Sequence, residues 1–223
     1  MSGRLRLHHA HQARSMRSLW LLHELGLEFD LVIHPFGPQL RSPDYLAHHP
    51  LGRVPCLEDG GRVLMESGAI CEYLCETRDH RGLWREPGHA ERADWLQWLH
   101  YSETMACHVA NLTQQHIVIR DDADRSPVIM KLEARRLAKA LGVVESVLGS
   151  RDYLLRGGFS AADIAVGYSV EVARHFVRLD DFPAVAGYRR RLAARPAFAA
   201  SLPDPRTDSL IYREDFYPPE RWA

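Results

Sequence analysis

The chain changes character near residue 80. Before that point short apolar runs alternate with helical patterns, and after it strand signals nearly vanish. That division constrains the fold more than any single motif does, because a run of strands followed by a run of helices asks for two differently built halves. Leu5 to His8 alternates as a strand. Arg14 to Leu25 carries Leu19, Trp20, Leu22 and Leu25 at helical spacing, with Gly26 as the stop. Phe29 to His34 is β-branched and aliphatic, and a breaker-rich connection, Pro35 to Pro50, follows. Pro55 to Glu58 and Arg62 to Met65 flank Asp59-Gly60-Gly61, a hairpin signal, and Ser67 to Glu76 is helical again. The order β-α-β, long connection, β-β, α predicts a mixed four-stranded sheet covered by helices.

Gly82 to Gly88 reads as a linker. Beyond it the helical patterns run from His89 to about Ile119, Pro127 to Leu148, Ala161 to Phe176, Pro183 to Ala193 and Ala197 to Leu202. Ser160 and Asp163 stand at the spacing of a capping box before an apolar run, which makes helix initiation their role. The expected domains are 4–79, 89–202 and an irregular tail, 203–223, from which Phe216, Tyr217 and Trp222 could pack back on the body.

A length of 223 residues suits two such units. Lys+Arg at 28 against Asp+Glu at 29 leaves a formal charge of −1, without the basic excess that phosphate contacts demand, so no nucleic-acid partner is expected. No apolar run is long enough to span a bilayer, and Met1 to His11 lacks a signal core; a cytoplasmic protein with no membrane partner is expected. Cys56, Cys71, Cys75 and Cys107 have neither disulfide density nor zinc spacing and read as reduced thiols. His9 and His11 would share a strand face, but no Cys, Asp or Glu lies nearby in the sequence to complete a site, so no metal is expected.

The chemistry concentrates between residues 51 and 70. A proline entering a strand, Pro55, cannot donate a ladder hydrogen bond. A cis bond before it would turn Val54 so that its backbone groups meet an extended peptide-like ligand. Glu66-Ser67 sits where a strand ends and a helix begins. The helix-start N–H groups and the Ser67 hydroxyl suit a carboxylate, and the Glu66 carboxylate suits an ammonium group. A ligand with a peptide-like middle and an amino-acid end would satisfy all of them.

Those segments, with Arg17 to Gly26, Pro50 to Pro55, Glu66 to Ile70 and Phe159 to Ala165, resemble the cytosolic glutathione S-transferases over roughly residues 4 to 202. The resemblance implies a thioredoxin-like α/β domain, β-α-β-α-β-β-α, followed by an all-α helical bundle. It implies glutathione as co-substrate with no other cofactor, a small electrophilic second substrate, a detoxification-type conjugation and a homodimer. Val54 would contact the cysteinyl backbone with Pro55 cis, Glu66 and Ser67 would hold the γ-glutamyl end, and Arg53 would reach polar groups of the ligand. Leu19-Trp20-Leu21-Leu22 is most similar to a fungal and bacterial subgroup.

The departure lies at the sulfur. The family places a Tyr, Ser or Cys near the start of the first helix to favour the glutathione thiolate, which is the nucleophile. Relatives of the subgroup tend to carry Ser where this chain has Ala13. Ser15, Gln12, Arg14 and the helix-start N–H groups are the alternatives. The electrophile is expected to face the long helix near Tyr101, Glu103 and His108, where packing is an equal explanation for Tyr101. Two other readings stand beside it: a disulfide reductase or peroxidase on the same scaffold, working through bound glutathione, and a non-catalytic glutathione-binding protein, which Ala13 favours.

Overall fold

The computed structural model describes residues 4–217; Trp222 lies outside the described residues. Two compact units divide the chain: the residues up to Pro87 with Ala193–Ile211, and Gly88–Leu192 with the chain from Tyr212.

In the first unit β1 (Leu5–His9), α1 (Ser15–Leu25) and β2 (Phe29–Ile33) form a parallel crossover, and β3 (Cys56–Asp59) and β4 (Arg62–Met65) form the expected hairpin. The sheet order is β2-β1-β3-β4, with β3 antiparallel to β1. Because side chains alternate across a strand, the register pairs sort the sheet into two faces. Leu5, Leu7 and Leu57 share one face and are buried. Arg6, His8, Cys56 and Glu58 share the other. The long connection contains a 3₁₀ turn, Pro38–Arg41, and a single-turn helix, α2 (Pro43–Leu46), whose N-cap Ser42 accepts from the Tyr45 N–H. The last helix of the unit's continuous stretch is α3 (Ser67–Arg78).

α1 is buried along most of its length, from Ser15 through Leu22, so it reads as a core helix rather than an amphipathic cover. Gly26 ends it in the left-handed region at φ 65°, donating to the His23 and Leu22 carbonyls. The segment 193–211 belongs to this unit for a visible reason. α8 (Pro196–Ser201) sets Phe198 edge-on against Trp20, centroids 4.8 Å apart, and Arg195 grips Glu24 with two bonds of 2.6 and 2.8 Å. A two-pronged guanidinium–carboxylate pair fixes orientation as well as adding energy. Glu24 also accepts from the Trp20 indole at 2.9 Å.

The second unit is helical among the described residues: α4 (Arg92–Thr113), α5 (Pro127–Leu148), α6 (Ala161–Ala173) and α7 (Pro183–Ala193), with a π-helical turn at Gln114–Val118. Ser160 and Asp163 form the capping box, the Ser160 N–H donating to Asp163 Oδ2 at 2.8 Å. The same carboxylate accepts the Leu154 N–H and the Tyr188 hydroxyl, so one side chain joins a helix start, a loop and α7. Burial raises the Asp163 carboxyl to about 6 even with these hydrogen bonds opposing it. Phe216 packs against Phe176 and His116, and its N–H donates to the His175 carbonyl at 2.6 Å. Among the described residues no helix is long and apolar enough to cross a membrane.

Candidate active site

Three short pieces of the first unit carry the expected site residues: the turn from β1 into α1, the loop before β3, and the start of α3. Each has a backbone feature that a random surface loop lacks.

In the first turn Gln12 takes a φ of 59°, a left-handed conformation uncommon outside glycine. Ala13 N–H donates to the Ala10 carbonyl, and Met16 N–H to Ala13, so the chain coils directly into α1. Gln12, Ala13 and Arg14 are half-buried there. Ser15 is fully buried, and its hydroxyl is held by the end of β1. Ala10 N–H donates to Ser15 Oγ at 3.1 Å, His9 Nδ1 lies 2.8 Å away and the Ala10 carbonyl 3.3 Å. Burial, with His11 adding to it, lowers His9 to about 3, so the ring beside Ser15 is neutral near pH 7 and brings no positive charge to a sulfur.

The loop before β3 depends on Gly52. Its φ is 59°, and a Cβ there would stand 2.5 Å from the Leu40 carbonyl oxygen. No side chain fits that approach, which explains a glycine at this point better than flexibility does. The Val54–Pro55 bond is cis, Pro55 is buried, Val54 half-buried and Arg53 exposed. The buried Tyr45 hydroxyl donates to the Arg53 carbonyl at 2.6 Å, tying the loop to α2.

Glu66 precedes α3 with a φ of 70° and is exposed, while Ser67 behind it is buried. The first α-helical bond runs from Ile70 N–H back to the Glu66 carbonyl, so the preceding N–H groups are not used by the helix itself. Arg17 Nη1 donates to Ser67 Oγ at 3.1 Å, and Arg17 is almost wholly buried. A buried cation thus sits behind the α3 start, where an anion would also gain from the helix dipole. His49 is buried nearby; burial lowers its pKa from the ordinary histidine value, partly opposed by the Glu66 charge.

Arg17, Tyr45 and His49 are not among the residues expected from sequence. One signal was available for Arg17: an arginine inside an otherwise apolar helical run needs a buried partner. Tyr45 and His49 lie in the breaker-rich connection, where no periodicity marks them. On α4, the Tyr101 hydroxyl donates to the Ala140 carbonyl at 3.0 Å and His108 Nδ1 lies 2.7 Å from Glu133 Oε2, so both meet α5. Glu103 is half-buried. The cysteines are free: Cys56, Cys71 and Cys75 are buried and Cys107 is exposed.

A four-stranded mixed sheet with these three loop and helix-start pieces, joined in one chain to a helical unit, defines a class that comparison with known proteins identifies. Residues 13–77 match the glutathione S-transferase N-terminal domain and residues 116–202 the C-terminal domain. A glutathione S-transferase of Arabidopsis thaliana is 30% identical over 201 residues, covering 84% of this chain and 89% of its own. Glutathione S-transferase 1 of Saccharomyces cerevisiae is 27% identical over 221 residues, covering 88% and 93%. The glutathione transferase URE2P6 of Phanerochaete chrysosporium, solved with oxidized glutathione, aligns at a TM-score of 0.80 and 26% identity, covering 89% of this chain and 94% of that one. Ure2p5 of the same fungus, cocrystallized with 1-(S-glutathionyl)-2,4-dinitrobenzene, aligns at 0.76 and 25% identity, covering 89% and 92%. The chain belongs to the glutathione S-transferase family.

Proposed function

We propose that this chain binds glutathione on its first unit and transfers the thiolate to a small electrophile. The observation that carries the reading is the backbone at Gln12 and Glu66. These two non-glycine residues take positive φ at the starts of α1 and α3, where the thiol and the γ-glutamyl group would be received. Such conformations cost free energy, typically about 1–3 kcal/mol each, and persist where surrounding structure holds a ligand clamp in place.

Val54 offers backbone groups to the cysteinyl unit, Pro55 shapes that approach, and Arg53 meets polar groups at the ligand's outer side. Glu66 pairs with the α-ammonium group. Ser67 and the α3 N–H groups donate to the α-carboxylate, with Arg17 supplying positive charge from behind. The bond of Ser15 to His9 and Ala10 favours the Gln12 amide, Arg14 and the first-turn N–H groups of α1 as stabilisers of the thiolate. The thiol proton leaves to solvent. Sulfur then forms a bond to carbon, and the electron pair of the broken bond departs with the leaving group. Holding both reactants together contributes through proximity, and stabilising the thiolate raises its fraction at neutral pH.

Tyr101, Glu103 and His108 on α4 are proposed to face the electrophile, although Tyr101 and His108 also pack α4 on α5. The chemistry requires glutathione and no further cofactor. We infer a cytoplasmic homodimer; the exposure of the apolar Val63 and Met65 on edge strand β4 supports a protein-covered surface. The test sets glutathione affinity beside rates of conjugation to a chlorodinitrobenzene and of disulfide reduction. Binding with conjugation as the faster activity is expected. Binding without either activity would sink the enzyme reading, and faster disulfide reduction would reassign the chemistry.

A further inference from the structure

The sheet face opposite the apolar core is unusual for what it gathers. His8 from β1, His34 just after β2, His48 after α2 and Glu58 from β3 come together there with Tyr45. His8 is almost wholly buried, and its two ring nitrogens are both engaged: Nε2 lies 2.7 Å from Glu58 Oε1 and Nδ1 lies 2.9 Å from His34 Nε2. His48 Nδ1 stands 3.6 Å from the same Glu58 oxygen, too far for a hydrogen bond, and its ring centroid is 4.9 Å from that of His8. One atom from each of His8, His48 and Glu58 fits within a mutual distance of 4.8 Å.

We propose that His8, His48 and Glu58 form a structural site for a zinc-class divalent cation. Two imidazole nitrogens and one carboxylate oxygen suit Zn²⁺, Co²⁺ or Ni²⁺, whereas magnesium and calcium prefer all-oxygen sets. Tetrahedral ligands about 2.0–2.1 Å from zinc stand roughly 3.3 Å apart. The observed 2.7 and 3.6 Å separations bracket that value, and the half-exposed His48 can swing inward about its own side-chain torsions. His34 completes the arrangement from behind. When the cation takes His8 Nε2, that nitrogen carries no proton and His8 keeps its one proton on Nδ1, donated to His34 Nε2; that bond fixes the ring's tautomer and direction, the part that an outer partner plays around metal-bound histidine. Partial exposure of His48 and Glu58 gives the ion a way in and leaves the fourth position to water.

The consequence is structural rather than chemical. α2 is a single turn in a loop-rich connection, anchored by the buried Tyr45 ring against the histidines of the polar sheet face. A cation joining β1, β3 and His48, two residues past the end of α2, would staple that connection to the sheet. Tyr45, its ring tilted against those of His8 and His34, passes the restraint to the Arg53 carbonyl.

The experiment uses the full chain with Cys107→Ser, which removes the exposed thiol as a competing ligand, stripped by chelator and free of glutathione. Titration with Co²⁺, read by visible absorption, and competition with Zn²⁺ give stoichiometry and affinity. One ion per chain is expected, with an upward shift of the melting midpoint. His48→Gln and Glu58→Gln, both at half-exposed positions, are each expected to weaken binding at least roughly tenfold and to remove the shift. Far-ultraviolet dichroism establishes that these variants fold. Absence of saturable binding at submillimolar metal would overturn the proposal, and so would tight binding that survives both substitutions.

Discussion

Arg17 and Ser67, fifty positions apart, meet at 3.1 Å in the interior of the first unit, guanidinium donating to hydroxyl. The contact places a buried positive charge behind the start of α3. Replacing Arg17 with Met should therefore raise the dissociation constant and KM for glutathione by about 10- to 100-fold, the equivalent of losing one charge-assisted hydrogen bond of ~1.5–3 kcal/mol. The rate at saturating glutathione should change much less. A fall in kcat at unchanged KM would mean that Arg17 acts on the chemistry instead.

Ser15 separates structural from catalytic hydroxyls. Ser15→Ala should leave the thiol pKa of bound glutathione, read by thiolate absorbance, where it is in the native chain. It should cost about 1–3 kcal/mol of stability, because the buried Ala10 N–H and His9 Nδ1 lose their partner. Gln12→Ala and Arg14→Ala should raise that pKa. If Ser15→Ala raises it most, the hydroxyl reaches the sulfur after all.

Gly52→Ala probes the loop that carries Val54 and Pro55. The positive φ and the 2.5 Å approach to the Leu40 carbonyl leave no room for a methyl group. A loss of roughly 2 kcal/mol or more in unfolding free energy is expected, with weaker glutathione binding as the loop shifts. Unchanged stability and affinity in this variant would show that the loop relaxes freely.

Asp163 supplies a pH test in the second unit. Its carboxyl is raised to about 6 in the fold from an ordinary 3.8, so the folded state holds a proton that the unfolded state releases. The contribution is full below pH 3.8 and is lost as pH rises through 6. Relative to Asp163→Asn, the native chain should lose on the order of 3 kcal/mol over that window and no more above it. Denaturant titrations at several pH values check this; parallel stability curves for the two proteins would contradict it.

The elements were legible where local chemistry punctuates them. Asp59-Gly60-Gly61 delimits the hairpin, and Ser126-Pro127 with Gly149 brackets α5, so its limits, Pro127–Leu148, follow from the sequence. α2 was legible only through the family resemblance, because four residues carry no helical period, although Ser42-Pro43 is a usable cap signal. The site was legible as far as its backbone pieces were: Val54-Pro55 and Glu66-Ser67 mark themselves. Side-chain pairings were not, since Arg17–Ser67, Ser15–His9 and the His8–Glu58 contact exist only once the sheet register is set. Glu58 reaches His8 only because it arrives from β3, paired with Arg6 across the sheet, and the acid beside His11, Asp208 at 3.4 Å, comes from near the other end of the chain.

The most direct measurement of the central claim is a glutathione binding isotherm for the native chain and for Glu66→Gln and Ser67→Ala. The account predicts one saturable site per chain and affinity at least roughly tenfold weaker in each variant, since each removes a charged or charge-assisted contact. Failure of the native chain to bind glutathione, or binding undiminished in both variants, would contradict it.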